Sequence, residues 1–198
     1  IPLMPDKTVT VNCHDGKLTL SSNDKDFNRD LEFALLCHKN MRKRFLDINV
    51  ASYYALTDSA KSALVDSIND YINDYNKLID DFEASSGTLA NHNYFVHDAY
   101  FGVVGFIAGR PDLLPRITAG QAALKSSEPY KCITGDDMKY PKTRSFASQY
   151  VTFNATLNVN NDSLLSNDDY YNIIRASRGI SPDSLTADVV NAYQLSNC

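Results

Sequence analysis

Residues 99–115 read AYFGVVGFIAGRPDLLP, the most apolar run in the chain, and they contain Gly102, Gly105 and Gly109. From Leu89 to Gly109 the pattern is apolar nearly all round once Tyr94 is passed, as in a helix buried on every side. The glycines are spaced three and four apart, so on a helix they share one face. Such a face lets another backbone approach closely, which offsets about 1 kcal/mol of lost helix propensity per glycine. The stretch between Asp98 and Arg110 is too short for a bilayer, which needs about twenty apolar residues. The reading is therefore a buried central helix. The competing reading is a membrane-active protein that exposes residues 99–109.

Upstream, two segments carry matching helical seams. In the first, Phe27, Leu31, Ala34, His38, Met41, Phe45 and Ile48 recur in steps of four and three. Ser21–Asp24 supplies capping residues in front of it. In the second, Leu64, Ile68, Tyr71, Tyr75, Leu78 and Phe82 repeat the pattern, with Val65, Ile72 and Ile79 beside them. Thr57-Asp58 opens this helix and Gly87 closes it, placed for a left-handed cap. A short link joins the two, so they are expected as an antiparallel helical hairpin. His38 is read as a core or helix-contact residue. The basic knot Lys39, Arg42, Lys43, Arg44 is read as the helix's C-terminal flank, where cations suit the dipole.

Farther out, Thr8–Ser22 alternates about His14-Asp15-Gly16, the signature of a β-hairpin. Downstream, Arg110-Pro111 stops the apolar helix, and a shorter helix is expected over 114–126 with Pro115 in its first turn. Residues 128–144 read as an irregular loop. Ser145–Val159 reads as a strand, with Val151, Phe153, Ala155, Leu157 and Val159 on one face. Helices are expected near 168–177 and 182–195. The fold expected is α+β and predominantly helical: a single domain over 1–198 with an antiparallel sheet of about three strands.

The net charge of −5 and pI of about 5.3 argue against nucleic acid as a partner, since no excess of cations is present to displace phosphate counterions. Cys13, Cys37, Cys132 and Cys198 lie far apart, which rules out CxxC redox and zinc-ribbon patterns. They are disulfide candidates, with Cys13–Cys37 and Cys132–Cys198 closing the shorter loops. Four reduced cysteines in a cytosolic protein is the alternative. The Ile1-Pro2 start suits an exported, processed chain, or one merely trimmed. The sequons at Asn154 and Asn161 carry little weight at this Asn, Ser and Thr content. The balance favours an extracytoplasmic location.

Familiar catalytic signatures are missing: GxSxG, HExxH, the P-loop and GxGxxG do not occur. His92 and His97 are five apart and point about 140° away from each other on one helix, a poor metal pair. No metal or cofactor is expected. Asp66, Asp70 and Asp74 follow i, i+4, i+8, an acidic contact face or simply a solvated one. Gly135-Asp136-Asp137 reads as a loop turn. The pairs Tyr53-Tyr54 and Tyr170-Tyr171 suit contact with protein or glycan. The expectation is a non-enzymatic, extracytoplasmic binding module that engages another protein or a glycan, with a homodimer possible. Its enzymatic rival is a small hydrolase-like protein whose site joins Cys132 to His97.

Overall fold

The computed structural model describes residues 7–153, 164 and 166–178. Strands β1 (Val9–His14) and β2 (Lys17–Ser22) pair antiparallel, with Val9 opposite Ser22 and His14 opposite Lys17. Asp15 and Gly16 both take positive φ, 49° and 72°, the turn whose twist matches the flanking strands. The hairpin is mostly exposed. Its Leu20 is buried with Phe27 and Leu31 in a small cluster separate from the main core.

Helix α1 spans Lys25–Tyr54 and α2 spans Asp58–Ser86. Both caps expected from sequence form. Asp24 accepts from the amides of Asp26 and Phe27, and Thr57 Oγ1 accepts from the Ala60 amide at 3.1 Å. Gly87 ends α2 at a φ of 88°, where an added Cβ would lie 2.8 Å from the Arg29 guanidinium. The α2 seam is as expected, with Leu64, Ile68, Tyr71 and Tyr75 buried and Leu78 and Phe82 partly buried against the core. The α1 seam is displaced by one residue in its middle. Cys37 is buried and His38 is exposed, because the inward face runs Phe33, Cys37, Met41, Ile48.

The basic knot is mid-helix, since α1 continues to Tyr54 and its last turn holds no basic residue. A distant cation takes that role. Arg110 donates to the carbonyls of Ala55 at 2.8 Å and Ser52 at 3.0 Å, satisfying C-terminal carbonyls that have no intrahelical partner.

Helix α3 (His92–Val104) is the buried central helix, with Phe95, Val96 and Ala99 through Val104 out of solvent. Buried Asp30 of α1 fixes its start, accepting from the amides of Ala90 at 3.0 Å and Asn91 at 3.1 Å and from Asn91 Nδ2 at 2.6 Å. The glycine-notch explanation fails. Among the described residues, an added Cβ on Gly102 would meet only the Phe45 ring, at 3.8 Å, and one on Gly105 only Gln149 Oε1, at 4.0 Å. Both are ordinary contacts with side chains. Gly109 is exposed and outside the helix, because α3 ends at Val104 and tightens into a 3-10 turn over Gly105–Ile107.

Two downstream expectations are corrected. Only Leu114–Arg116 is helical in the 114–126 region, as one 3-10 turn. Asn69 of α2 explains the rest: its Oδ1 accepts from the amides of Thr118 and Ala119, each at 2.9 Å, so those amides are unavailable to a helix. The expected strand at 145 onward begins as helix α4 (Pro141–Phe153). Thr143, Phe146, Ala147 and Val151 are buried at helical spacing, with Phe146 against Phe101 of α3 at 5.2 Å between ring centroids. The alternation that suggested a strand is concentrated in 151–159, and 154–159 lies outside the described residues. The sheet therefore has two strands among the described residues. Helix α5 (Asp168–Arg178) matches its expected range, and the helix expected at 182–195 lies outside them. The fold is α+β and predominantly helical.

Candidate functional site

Helix α1 has two apolar faces. The inward one builds the core. On the other, Leu46, Val50 and Tyr53 follow an i, i+4, i+7 spacing that places them opposite Met41 and Ile48. They are 46%, 58% and 72% exposed, and Tyr54 and Leu56 at the hairpin tip are 75% and 78% exposed. Single exposed apolar residues are ordinary, but a contiguous set marks a contact surface. Toward the N-terminus the same stripe continues through exposed Lys43, Arg42 and Lys39. Of these, sequence reasoning singled out Tyr53-Tyr54; its other pair is not exposed, Tyr170 being buried and Tyr171 half-buried in α5. The signal for the rest was there: Leu46 and Val50 lie off the inward seam at helical spacing from each other.

The acidic trio of α2 does not form one uniform surface. All three are exposed, but Asp74 also pairs with Arg44 across the hairpin. Asp70 shares a groove with Arg44, Asp47 and Ser67, so both signs of charge meet there.

A cleft of about 240 Å³ opens where α1, α2 and α3 meet, with Lys142 of α4 on its wall. Phe45, Tyr71, Tyr75, Tyr94 and Phe95 line it around Asp98. The Tyr75 hydroxyl donates to Asp98 Oδ2 at 3.3 Å. Burial raises the Asp98 carboxyl above its usual range, against the pull of Lys142 and the Tyr75 hydroxyl. Burial also pushes the Cys37 thiol up to about 12, which keeps it protonated and a poor nucleophile. This cleft was missed at the sequence level. Its signal was Asp98, a carboxylate beside the most apolar run in the chain.

The proposed partners Cys132 and His97 do line one cavity, together with Phe101 and Asp137, but it measures only about 70 Å³. Small-molecule sites are typically about 300–1,000 Å³. Both ring nitrogens of His97 are engaged elsewhere. Nδ1 is 2.9 Å from Thr143 Oγ1, and Nε2 faces Asp137 Oδ1 at 3.5 Å. Asp137 is itself held by the amide and hydroxyl of Thr134, at 2.8 and 2.7 Å. The ring packs at a tilt against Tyr140, with 4.2 Å between centroids, and stacks on Phe101 at 5.6 Å. Burial lowers the His97 pKa, against the attraction of Asp137. In this arrangement His97 is a packed bridging residue between α3 and the start of α4. His92 is apart from it, near Glu83 of α2 at 3.1 Å.

Cys13 is exposed on the hairpin and Cys37 is buried. Cys37 points toward Tyr75 in the core, whereas the hairpin packs against Phe27 and Leu31, near the start of α1. Cys132 is exposed, and Cys198 lies outside the described residues. No group of three or more His, Cys, Asp or Glu side chains suited to a metal ion occurs among the described residues. No described helix is long and apolar enough to cross a membrane, and Ala99–Val104 is buried. Comparison with protein-family models, with curated proteins and with solved structures gave no significant match.

Proposed function

We propose that this protein is a non-enzymatic, extracytoplasmic binding module whose contact surface is the outward face of α1. One observation carries the reading: Leu46, Val50 and Tyr53 are exposed at helical spacing on a well-anchored helix, with exposed Tyr54 and Leu56 beside them at its C-terminal end. Asp24, Asp30 and Arg110 tie α1 to its surroundings near its two ends. A rigid, apolar and aromatic surface loses little conformational freedom on association, and tyrosine supplies both contact area and a polar tip.

Site-specific photocrosslinking in the producing cells tests this. Benzoylphenylalanine in place of Tyr53 is expected to give a discrete adduct with another macromolecule. The same group in place of Lys77, exposed on α2, is expected to give none. Absence of any adduct from position 53 overturns the reading. The location rests on the four cysteines as disulfide candidates, Cys132 and Cys198 among them. Peptide mapping without reductant is expected to find those two joined. Four reactive thiols on the native protein would reverse the assignment.

A further inference from the structure

We infer that the outward stripe of α1 pairs with the same stripe on a second copy of this chain, the two helices running antiparallel. The inference rests on the reading of this stripe as the contact surface and names what covers it. Lys39, Lys43, Leu46, Val50 and Tyr53 recur in steps of four, three, four and three, and all five are exposed. Leu46, Val50 and Tyr53 form a narrow apolar seam, continued at the same spacing by Lys43 and Lys39, and a narrow seam suits one helix laid against another, whereas broader stripes face a core.

The charge along the seam selects the orientation. Its N-terminal half is cationic, through Lys39, Arg42 and Lys43. Its middle is aliphatic, through Leu46 and Val50, and its C-terminal end is aromatic, through Tyr53 and Tyr54. Parallel pairing would set cations against cations. Antiparallel pairing about a two-fold axis that crosses the outward stripe midway between Leu46 and Val50 sets Leu46 against Val50 of the second copy. The same register sets Lys43 against Tyr53 of the second copy and Arg42 against Tyr54 of the second copy. Cations then lie over tyrosine rings, a favourable contact, and each contact occurs twice, as a two-fold interface requires. An anionic membrane is the weaker occupant. The neighbouring α2 exposes Asp66 and Asp70, and the chain's net charge is −5, both repelled by acidic lipid.

Sedimentation equilibrium of the full chain tests the pairing. The wild type is expected to dimerise reversibly. The double variant Leu46→Asp, Val50→Asp is expected to be monomeric with an unchanged circular dichroism spectrum. Tyr53→Lys sets like charges against each other across the axis and is expected to weaken dimerisation by about tenfold or more. Adding Lys43→Glu to Tyr53→Lys is expected to restore it, since glutamate and lysine then face each other. Positions 43 and 53 are about 15 Å apart within one helix, so the rescue has no intrachain route. Failure of the rescue overturns the antiparallel register, and a wild type that stays monomeric overturns self-pairing altogether. In the second case an adduct from position 53 with a different protein or a glycan leaves the contact surface standing. No adduct removes both readings.

Discussion

Helices α1 and α2 are near twins in length, 30 and 29 residues, and each turns one seam inward. Their outer faces differ. That of α2 carries Asp66, Asp70, Asn73, Lys77 and Asp81, all exposed, as expected of a helix with water on its far side. That of α1 carries Lys39, Lys43, Leu46, Val50 and Tyr53. The α2 seam is buried or half-buried in the core, whereas Leu46, Val50 and Tyr53 on α1 are exposed. The contrast separates residues that hold the fold from residues that face outward, and it is what points to a partner.

The contrast breaks most sharply at Ile72 and Val50. Ile72→Ala on the inner face of α2 is expected to cost about 2–5 kcal/mol in urea unfolding, through lost transfer energy and a residual cavity. Val50→Ala on the outer face of α1 is expected to stay within about 0.5 kcal/mol in dilute protein. Equal costs would mean that Val50 is covered within one chain. Next comes the clamp on the inner side of α1. Asp30→Ala removes three accepted hydrogen bonds at the start of α3 and is expected to cost about 2 kcal/mol. Amide exchange of Ala90 and Asn91 should rise with it.

The third prediction concerns where α1 meets α3. Gly102→Ala places a methyl at ordinary contact with Phe45 and gains helix propensity, so stability should rise by up to about 1 kcal/mol. A fall in the melting temperature would restore the notch that the contacts with Phe45 and Gln149 argue against. The smallest effect is expected in the cleft. Because burial raises the Asp98 carboxyl, the folded state holds its proton to a higher pH than the unfolded chain does. Stability therefore falls as pH rises from the unfolded carboxylate value through the folded one. Asp98→Asn still accepts from Tyr75 and should be more stable than wild type at neutral pH, with the difference vanishing at acidic pH. A variant less stable at neutral pH would mean that Lys142 and Tyr75 outweigh the burial.

The candidate surface was half legible from sequence. Tyr53-Tyr54 stood out as a pair, whereas Leu46 and Val50 merged with the rest of an apolar helix, because periodicity identifies faces without telling which one meets a core. The cysteines illustrate the same limit: sequence alone put Cys13 on the hairpin and Cys37 on α1, and only packing shows that Cys37 lies against Tyr75.

The sequence by itself determined the Asp15-Gly16 turn, both long helices with their Asp24 and Thr57 caps, the burial of α3 and the start of α5. These features rest on dihedral preferences, capping and spacing within a few residues, forces that act locally. Tertiary structure decided the rest. Asn69 takes the amides that a helix at 118 would need, and α3 offers the face that makes 141–153 helical. Arg110 caps a helix that ended more than fifty residues earlier. No short window of the chain contains both partners of such contacts, so no reading of short windows could have assigned them.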